Sequence, residues 1–163
     1  GDRVHFLRGL FDEAFLQRLW DTLWATPSSW SSNNMYAERR FLRSPELARA
    51  ILQRLPRGLG YQHVLADMKF IEYPAGGFIQ PHTDGVRADD VTGVRSTTSF
   101  LLYLQDVPEG EGGETEILSG LEGDVVRSFR PERGAILLMP HETPHRGAGV
   151  GVHPKVLLRG DLY

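Results

Sequence analysis

Apolar residues follow two rhythms along this chain: a period near 3.6 residues before residue 56, and shorter runs bounded by Gly and Pro after residue 60. The first rhythm predicts a helix from about Asp12 to Ala25. Phe15, Leu16, Leu19, Trp20, Leu23 and Trp24 recur along it as a stripe, and Asp12 can cap the free amides of its first turn. A second helix is predicted from Ser44 as N-cap and Pro45 at the first helical position. It runs through Leu47, Ile51, Leu52 and Leu55 and stops at Pro56-Arg57-Gly58. Strands are predicted over Val64 to Tyr73, Ser99 to Gln105, Glu114 to Leu118, Val125 to Phe129, Ala135 to Met139 and Val156 to Tyr163. Helices first and short strands afterwards imply an α+β fold, the helices buttressing one face of a sandwich or jelly roll.

Length and composition narrow this picture. With 163 residues, 40% of them hydrophobic, the chain can fill one core but not two. We therefore expect a single domain over 1–163, with a helical buttress over 1–60 and a jelly-roll core over 61–163. Lys and Arg number 18 against 21 Asp and Glu, so there is no chain-wide basic field to hold a phosphate backbone, and nucleic acid is not an expected partner. The absence of Cys removes thiolate metal sites and thiol nucleophiles together, leaving His and carboxylates as the possible metal ligands. No run approaches the ~18 apolar residues of a membrane span and the N-terminus shows no signal pattern, so the expected setting is soluble and cytoplasmic, with no membrane partner.

Chemistry concentrates in two short segments. In Gln80-Pro81-His82-Thr83-Asp84-Gly85, an imidazole and a carboxylate one residue apart project to the same face of an extended backbone and can share one ion. Such a His-any-Asp pair arises by chance about 0.4 times in a shuffled chain of this composition, so the weight falls on a third ligand. His145 supplies it, just after the apolar run Gly134 to Met139. Two His and one carboxylate make the facial triad that leaves positions on iron(II) open for other molecules. The same region, His141-Glu142-Thr143-Pro144-His145, spells the His-Glu-x-x-His pattern of zinc peptidases. That pattern works on a helix, and Pro144 inside the turn would cost roughly 3 kcal/mol or more, which leaves His141 as a loop or supporting residue. Near the C-terminus, Lys155 and Arg159 share a strand face with Leu157 between them, awaiting either an anionic ligand or structural carboxylates. Tyr103 has the parity of Leu101 and Gln105, and is either a phenol offered to the same anion or a core tyrosine. The polar segment from Gly85 to Thr98 reads as a mobile loop over the site or as a solvated connection. His5, His63 and His153 belong to no visible constellation and are expected to be structural.

Tyr73-Pro-Ala-Gly-Gly-Phe-Ile-Gln-Pro-His-Thr-Asp84, Phe100-Leu-Leu-Tyr-Leu-Gln105, Gly112-Gly-Glu-Thr115, Gly134-Ala-Ile-Leu-Leu-Met139, His145 and Lys155 together resemble, in that order, the prolyl 4-hydroxylase-like branch of the 2-oxoglutarate and iron(II) dioxygenases. The resemblance covers about residues 64 to 163 and implies a double-stranded β-helix core with helices packed on it. It implies iron(II) on His82, Asp84 and His145, with 2-oxoglutarate and O2 as cosubstrates and ascorbate as a candidate accessory. Lys155 would meet the C5 carboxylate of 2-oxoglutarate, Tyr103 would donate its hydroxyl to it, and Tyr73 would lie near the cosubstrate or the metal. Arg159 would sit one pleat further along, toward the C1 end or the substrate. The implied reaction is oxidative decarboxylation of 2-oxoglutarate coupled to hydroxylation of an aliphatic C–H in a small molecule, an amino acid or a prolyl residue. Retention of Asp84 favours hydroxylation over halogenation. The rival of another class is a non-catalytic, cupin-like jelly-roll binding module whose His are structural; the zinc peptidase is the remote alternative.

Overall fold

The computed structural model describes residues 3–29 and 37–163. In chain order these form β1 (His5–Leu7), α1 (Glu13–Ala25), β2 (Glu38–Arg43), α2 (Pro45–Arg54), a 3-10 turn (Arg57–Leu59), β3 (Asp67–Tyr73), β4 (Ile79–His82), β5 (Thr98–Tyr103), β6 (Thr115–Leu118), β7 (Val125–Phe129), β8 (Ile136–Pro140), β9 (His145–Gly147) and β10 (Lys155–Leu162). Both helices start where their caps predict. Asp12 Oδ1 accepts from the Phe15 amide at 2.8 Å, and Ser44 Oγ accepts from the Leu47 amide at 3.1 Å. The stripe of α1 is narrower than expected: Phe15, Leu16, Leu19 and Leu23 are buried, whereas Trp24 is 50% exposed. At 100° per residue Trp24 falls about 120° from the centre of that stripe, and it packs edge-on against Trp20 instead.

The strands form a six-stranded sheet in the order β1-β8-β5-β10-β3-β2 and a four-stranded sheet in the order β4-β9-β6-β7, with antiparallel pairing throughout. This is the expected jelly-roll arrangement of two facing sheets. Alternation along the large sheet separates two cores. Phe70, Phe100, Leu102, Ile136, Leu138 and Leu158 face α1 and α2. Ile71, Leu101, Tyr103, Leu137 and Leu157 face the small sheet.

Four strands were not anticipated, and two of them correct the division at residue 60. β1 and β2 lie inside the supposed helical buttress, yet they form the two edges of the large sheet. β2 reads Glu-Arg-Arg-Phe-Leu-Arg, and an edge strand of that polarity shows no apolar alternation. β4 and β9 are short and carry Pro81 and the ligand-type His82 and His145. Pro81 has no amide to donate, and the β4–β9 register shifts between Ile79 and His82 accordingly. The segment after Asp84 carries hydrogen bonds of its own, and its first residues, Gly85, Val86 and Arg87, line a cavity beside the ligand-type residues. Ala88 pairs with Arg95 in an isolated bridge, and the buried Asp89 carboxylate accepts from the amides of Val91 and Thr92 and meets His63 Nε2 at 2.5 Å. That contact gives His63 the structural place expected of it. Among the described residues, no helix is long and apolar enough to cross a membrane.

Candidate active site

His82 at the end of β4 and His145 at the start of β9 stand directly opposite each other in the antiparallel register, which brings their rings to 4.2 Å between centroids. The chain leaves β4 with the Asp84 amide donating to the His141 carbonyl at 2.9 Å, so the carboxylate turns back toward the two rings. Asp84 Oδ1 lies 3.4 Å from His82 Nε2 and 3.7 Å from His145 Nε2, and ligand atoms from all three residues lie within 4.8 Å of one another. The other ring nitrogens are already committed: His82 Nδ1 to the Gln80 carbonyl at 2.8 Å, and His145 Nδ1 to the Thr143 carbonyl at 2.9 Å. Those carbonyls can only accept, so each Nδ1 carries the proton and each Nε2 presents a lone pair inward. Burial holds His145 below the usual imidazole range, in favour of the neutral form a ligand needs. Asp84 is positioned by Ser99 Oγ, which donates to Oδ2 at 2.6 Å, and by the Arg159 guanidinium at 3.4 Å from the same oxygen, leaving Oδ1 for the cluster. Burial alone would raise the Asp84 carboxyl; its contact with the His82 ring, the Arg159 charge and the Ser99 hydroxyl outweigh it and hold it well below the usual carboxylate range. Two neutral imidazoles and one carboxylate, each locked from behind, fit a divalent iron ion.

His141 belongs to this support and not to the cluster. Its ring is buried between Ser96 Oγ at 2.7 Å and Ser99 Oγ at 2.8 Å, so it reaches Asp84 only through Ser99. The peptidase reading of His141 to His145 fails on geometry, because His141 lies in the turn after β8 and His145 opens β9; no helix joins them. His141→Ala should therefore weaken iron binding by no more than about 10- to 100-fold, the usual range for a supporting partner, whereas His145→Ala should abolish it. Equal losses in an anaerobic iron titration would put His141 among the ligands.

The triad opens into a cavity of about 470 Å³ between the sheets, lined among others by Tyr73, Ile79, Thr115, Lys155, Leu157 and Arg159. Lys155 and Arg159 share its inner face, four residues and about 13 Å apart along β10, so each has its own end. Lys155 is 3% exposed; its Nζ lies 3.4 Å from Thr115 Oγ1 and 5.3 Å from the centre of the Tyr73 ring, with no carboxylate in pairing distance among the described residues. Burial pushes this amine down to about 8 against the opposing pull of Glu114 and Glu116. Two glycine features make the room. Gly112 and Gly113 turn into β6 at φ of +84° and +79°, and a Cβ on Gly147 would stand 2.8 Å from Ile79 Cγ2 and 3.6 Å from Lys155 Nζ. Tyr103 stays one layer behind the wall. Its phenol meets Thr115 Oγ1 at 2.6 Å, and it is Thr115 that lines the cavity. Arg159 lies at the metal end, paired with Asp161 at 3.2 Å and with Asp84. Thr115 ends the Gly112-Gly-Glu-Thr115 motif but had been given no role, and the motifs had not pointed to Ser99, Lys69 or Arg39. Parity with Tyr103 and with Tyr73 was available for Ser99 and Lys69, but no comparable signal marked Arg39.

Comparison with known proteins agrees with this geometry. The sequence profile of the 2OG-Fe(II) oxygenase superfamily matches residues 68–160, more than half of the chain, and the chain belongs to that family. It is thus an iron(II)- and 2-oxoglutarate-dependent oxidoreductase built on the family's jelly roll. No curated protein sequence matches it significantly. Among solved structures, a viral collagen prolyl hydroxylase from Paramecium bursaria chlorella virus-1, in complex with 2-oxoglutarate, superposes with a TM-score of 0.72 at 17% identity, covering 99% of this chain and 96% of that one. HygX from Streptomyces hygroscopicus, with nickel, 2-oxoglutarate and hygromycin B bound, gives 0.72 at 13% identity over 98% and 82% of the two chains. A Trichoplax adhaerens prolyl hydroxylase, in complex with a hypoxia-inducible-factor peptide, gives 0.70 at 15% identity over 99% and 83%. At such identities these likenesses describe the fold.

Proposed function

We propose that His82, Asp84 and His145 hold iron(II), that Lys155 and Thr115 receive the C5 carboxylate of 2-oxoglutarate beside Tyr73, and that the enzyme hydroxylates an aliphatic C–H of a small molecule. The observation that carries this reading is the convergence of two Nε2 lone pairs and Asp84 Oδ1 while both Nδ1 atoms and Asp84 Oδ2 are held from outside. Bound there, iron(II) and 2-oxoglutarate supply the conversion of 2-oxoglutarate and O2 to succinate and carbon dioxide, one oxygen atom passing to the substrate carbon. The chain's own part is placement. Lys155 at one end and the triad at the other fix the cosubstrate's direction, while Ile71, Ile79, Leu101 and Leu157 keep water off the floor between them. Ser99 and Arg159 keep Asp84 ionised and aimed. A small-molecule substrate is supported by the modest cavity, and HygX shows that the same fold accommodates hygromycin B.

Anaerobic addition of iron(II) and then 2-oxoglutarate to the protein should produce a visible metal-to-ligand charge-transfer band that saturates at one equivalent of each. Failure of the band to form would favour the binding-module reading over an oxygenase.

A further inference from the structure

At the metal end the cavity carries more positive charge than its own carboxylates balance. Lys69 on β3 stands directly across from Arg159 in the β3–β10 register, and Arg39 on β2 stands across from Ile71, two pairs further along on the same face. Arg39, Lys69, Arg87 and Arg159 all line the cavity. Like charges in facing positions of a sheet destabilise it unless something negative lies between them. Two carboxylates approach this group. Asp161 takes Arg159 at 3.2 Å and Arg87 at 3.6 Å, and Asp84 takes Arg159 while serving the triad. Lys69 and Arg39 have no such partner among the described residues, and Arg39 Nη1 is a buried donor without an acceptor. Burial, followed by the charges of Arg159, Arg39 and Arg87, pushes the Lys69 amine down to about 8, the mark of a cation held against its surroundings.

The cosubstrate does not account for this surplus. Lys155 faces Tyr73 in the same register that sets Arg159 against Lys69, so the two cationic rows are four residues, about 13 Å, apart. 2-Oxoglutarate placed between Lys155 and the triad leaves the Lys69 row for another molecule. The row is also close to the reacting position, since Arg159, its neighbour across the sheet, touches Asp84.

Resting on the iron and 2-oxoglutarate reading above, we infer that Lys69 and Arg39 form the substrate's anion subsite, so that the molecule oxidised is a small acid whose carboxylate or phosphate docks there with its target C–H a few bonds away. Half-buried cations that oppose one another before substrate arrives are the expected cost of such a site.

The test uses protein loaded with zinc(II) and saturating 2-oxoglutarate, so that no turnover occurs and the Lys155 end is filled. Its melting temperature is followed against acetate and against inorganic phosphate, with chloride at matched ionic strength as reference. A saturable rise above chloride is expected with at least one of the two anions: acetate alone indicates a carboxylic acid substrate, phosphate alone a phosphate ester. Lys69→Met should start from a higher melting temperature, because a repelled cation is gone, and should bind the effective anion at least tenfold more weakly; Arg39→Met should weaken it in the same direction. A response no greater than chloride, or one unchanged by both substitutions, overturns the subsite. The anaerobic charge-transfer band of iron(II) and 2-oxoglutarate should persist in Lys69→Met. Its absence from the unsubstituted protein would instead overturn the oxygenase reading, and its loss only in Lys69→Met would show that Lys69 serves the cosubstrate and overturn the subsite. In aerobic assays, acids should raise succinate formation above background at least tenfold more effectively than their neutral amides or alcohols; equal stimulation by the neutral partners counts against the proposal.

Discussion

Asp84→Ala is expected to fold, to bind iron(II) more than 100-fold more weakly, and to lose substrate-coupled succinate formation. The lower bound follows from the effect of supporting residues. Removing a partner that merely orients a ligand costs about 10- to 100-fold in metal affinity, and removing the ligand itself must cost more. The substitution leaves two neutral imidazoles facing each other with nothing to balance a dication. Folding should survive because the side chain's partners keep other contacts: Arg159 retains Asp161 at 3.2 Å, and Ser99 retains His141 at 2.8 Å. Circular dichroism and an anaerobic iron titration separate the two consequences. An Asp84→Ala protein that binds iron within tenfold of the original and keeps most coupled turnover would show that the metal lies elsewhere.

How much of this was readable in the chain depends on whether the signal was local. Asp12, Ser44 and Pro45 announce their helices because capping uses residues a few positions away. The central strands β3, β5, β8 and β10 are legible because both faces are buried and their apolar runs are dense. β4 and β9 are not, since each is short and given over to ligands, and one contains Pro81. The triad could be inferred because ligand types and the His82 to Asp84 spacing are local, with His145 the remaining partner of the right chemistry. Tyr103 illustrates the opposite case. Strand parity correctly turns it toward the interior, but parity cannot tell that Thr115, from a different sheet, stands between its phenol and the cavity. The excess of cations is invisible for the same reason. Lys69 could be placed on the Tyr73 face by counting along β3, but its opposition to Arg159 and the approach of Arg39 exist only once β2, β3 and β10 are paired.

Lys155→Met should weaken 2-oxoglutarate binding by ~30-fold to several thousand-fold while iron affinity hardly changes. The range converts the ~2 to 5 kcal/mol that typically follows loss of one partner from a desolvated charge pair, at about 1.4 kcal/mol per decade. Methionine keeps the bulk of the stem against Tyr73 and Gly113, so the loss reports charge and not packing. Arg159→Met should do less to the cosubstrate and more to substrate binding or coupling, because Arg159 stands at the triad and not beside Thr115. The same lysine sets a pH signature. Burial lowers its amine to about 8, below its ordinary 10.5, so near neutrality the empty pocket holds a charge it disfavours. The contribution to folding stability rises as pH climbs from about 8 toward 10.5, where the unfolded chain still binds a proton the folded one has released. Ligand binding has the opposite trend. A bound carboxylate raises the amine again, so above about pH 8 binding requires uptake of a proton and affinity falls by up to tenfold per unit. Below that pH the amine is already charged and this component is flat. Burial raises the hydroxyl of the neighbouring Tyr73 above the usual phenol range. Calorimetry of 2-oxoglutarate binding in buffers of different ionisation enthalpy should register the proton at pH 9 in the original protein and not in Lys155→Met. If Arg159→Met abolishes binding while Lys155→Met is nearly silent, or if both proteins share one pH profile, then the carboxylate clamp is Arg159.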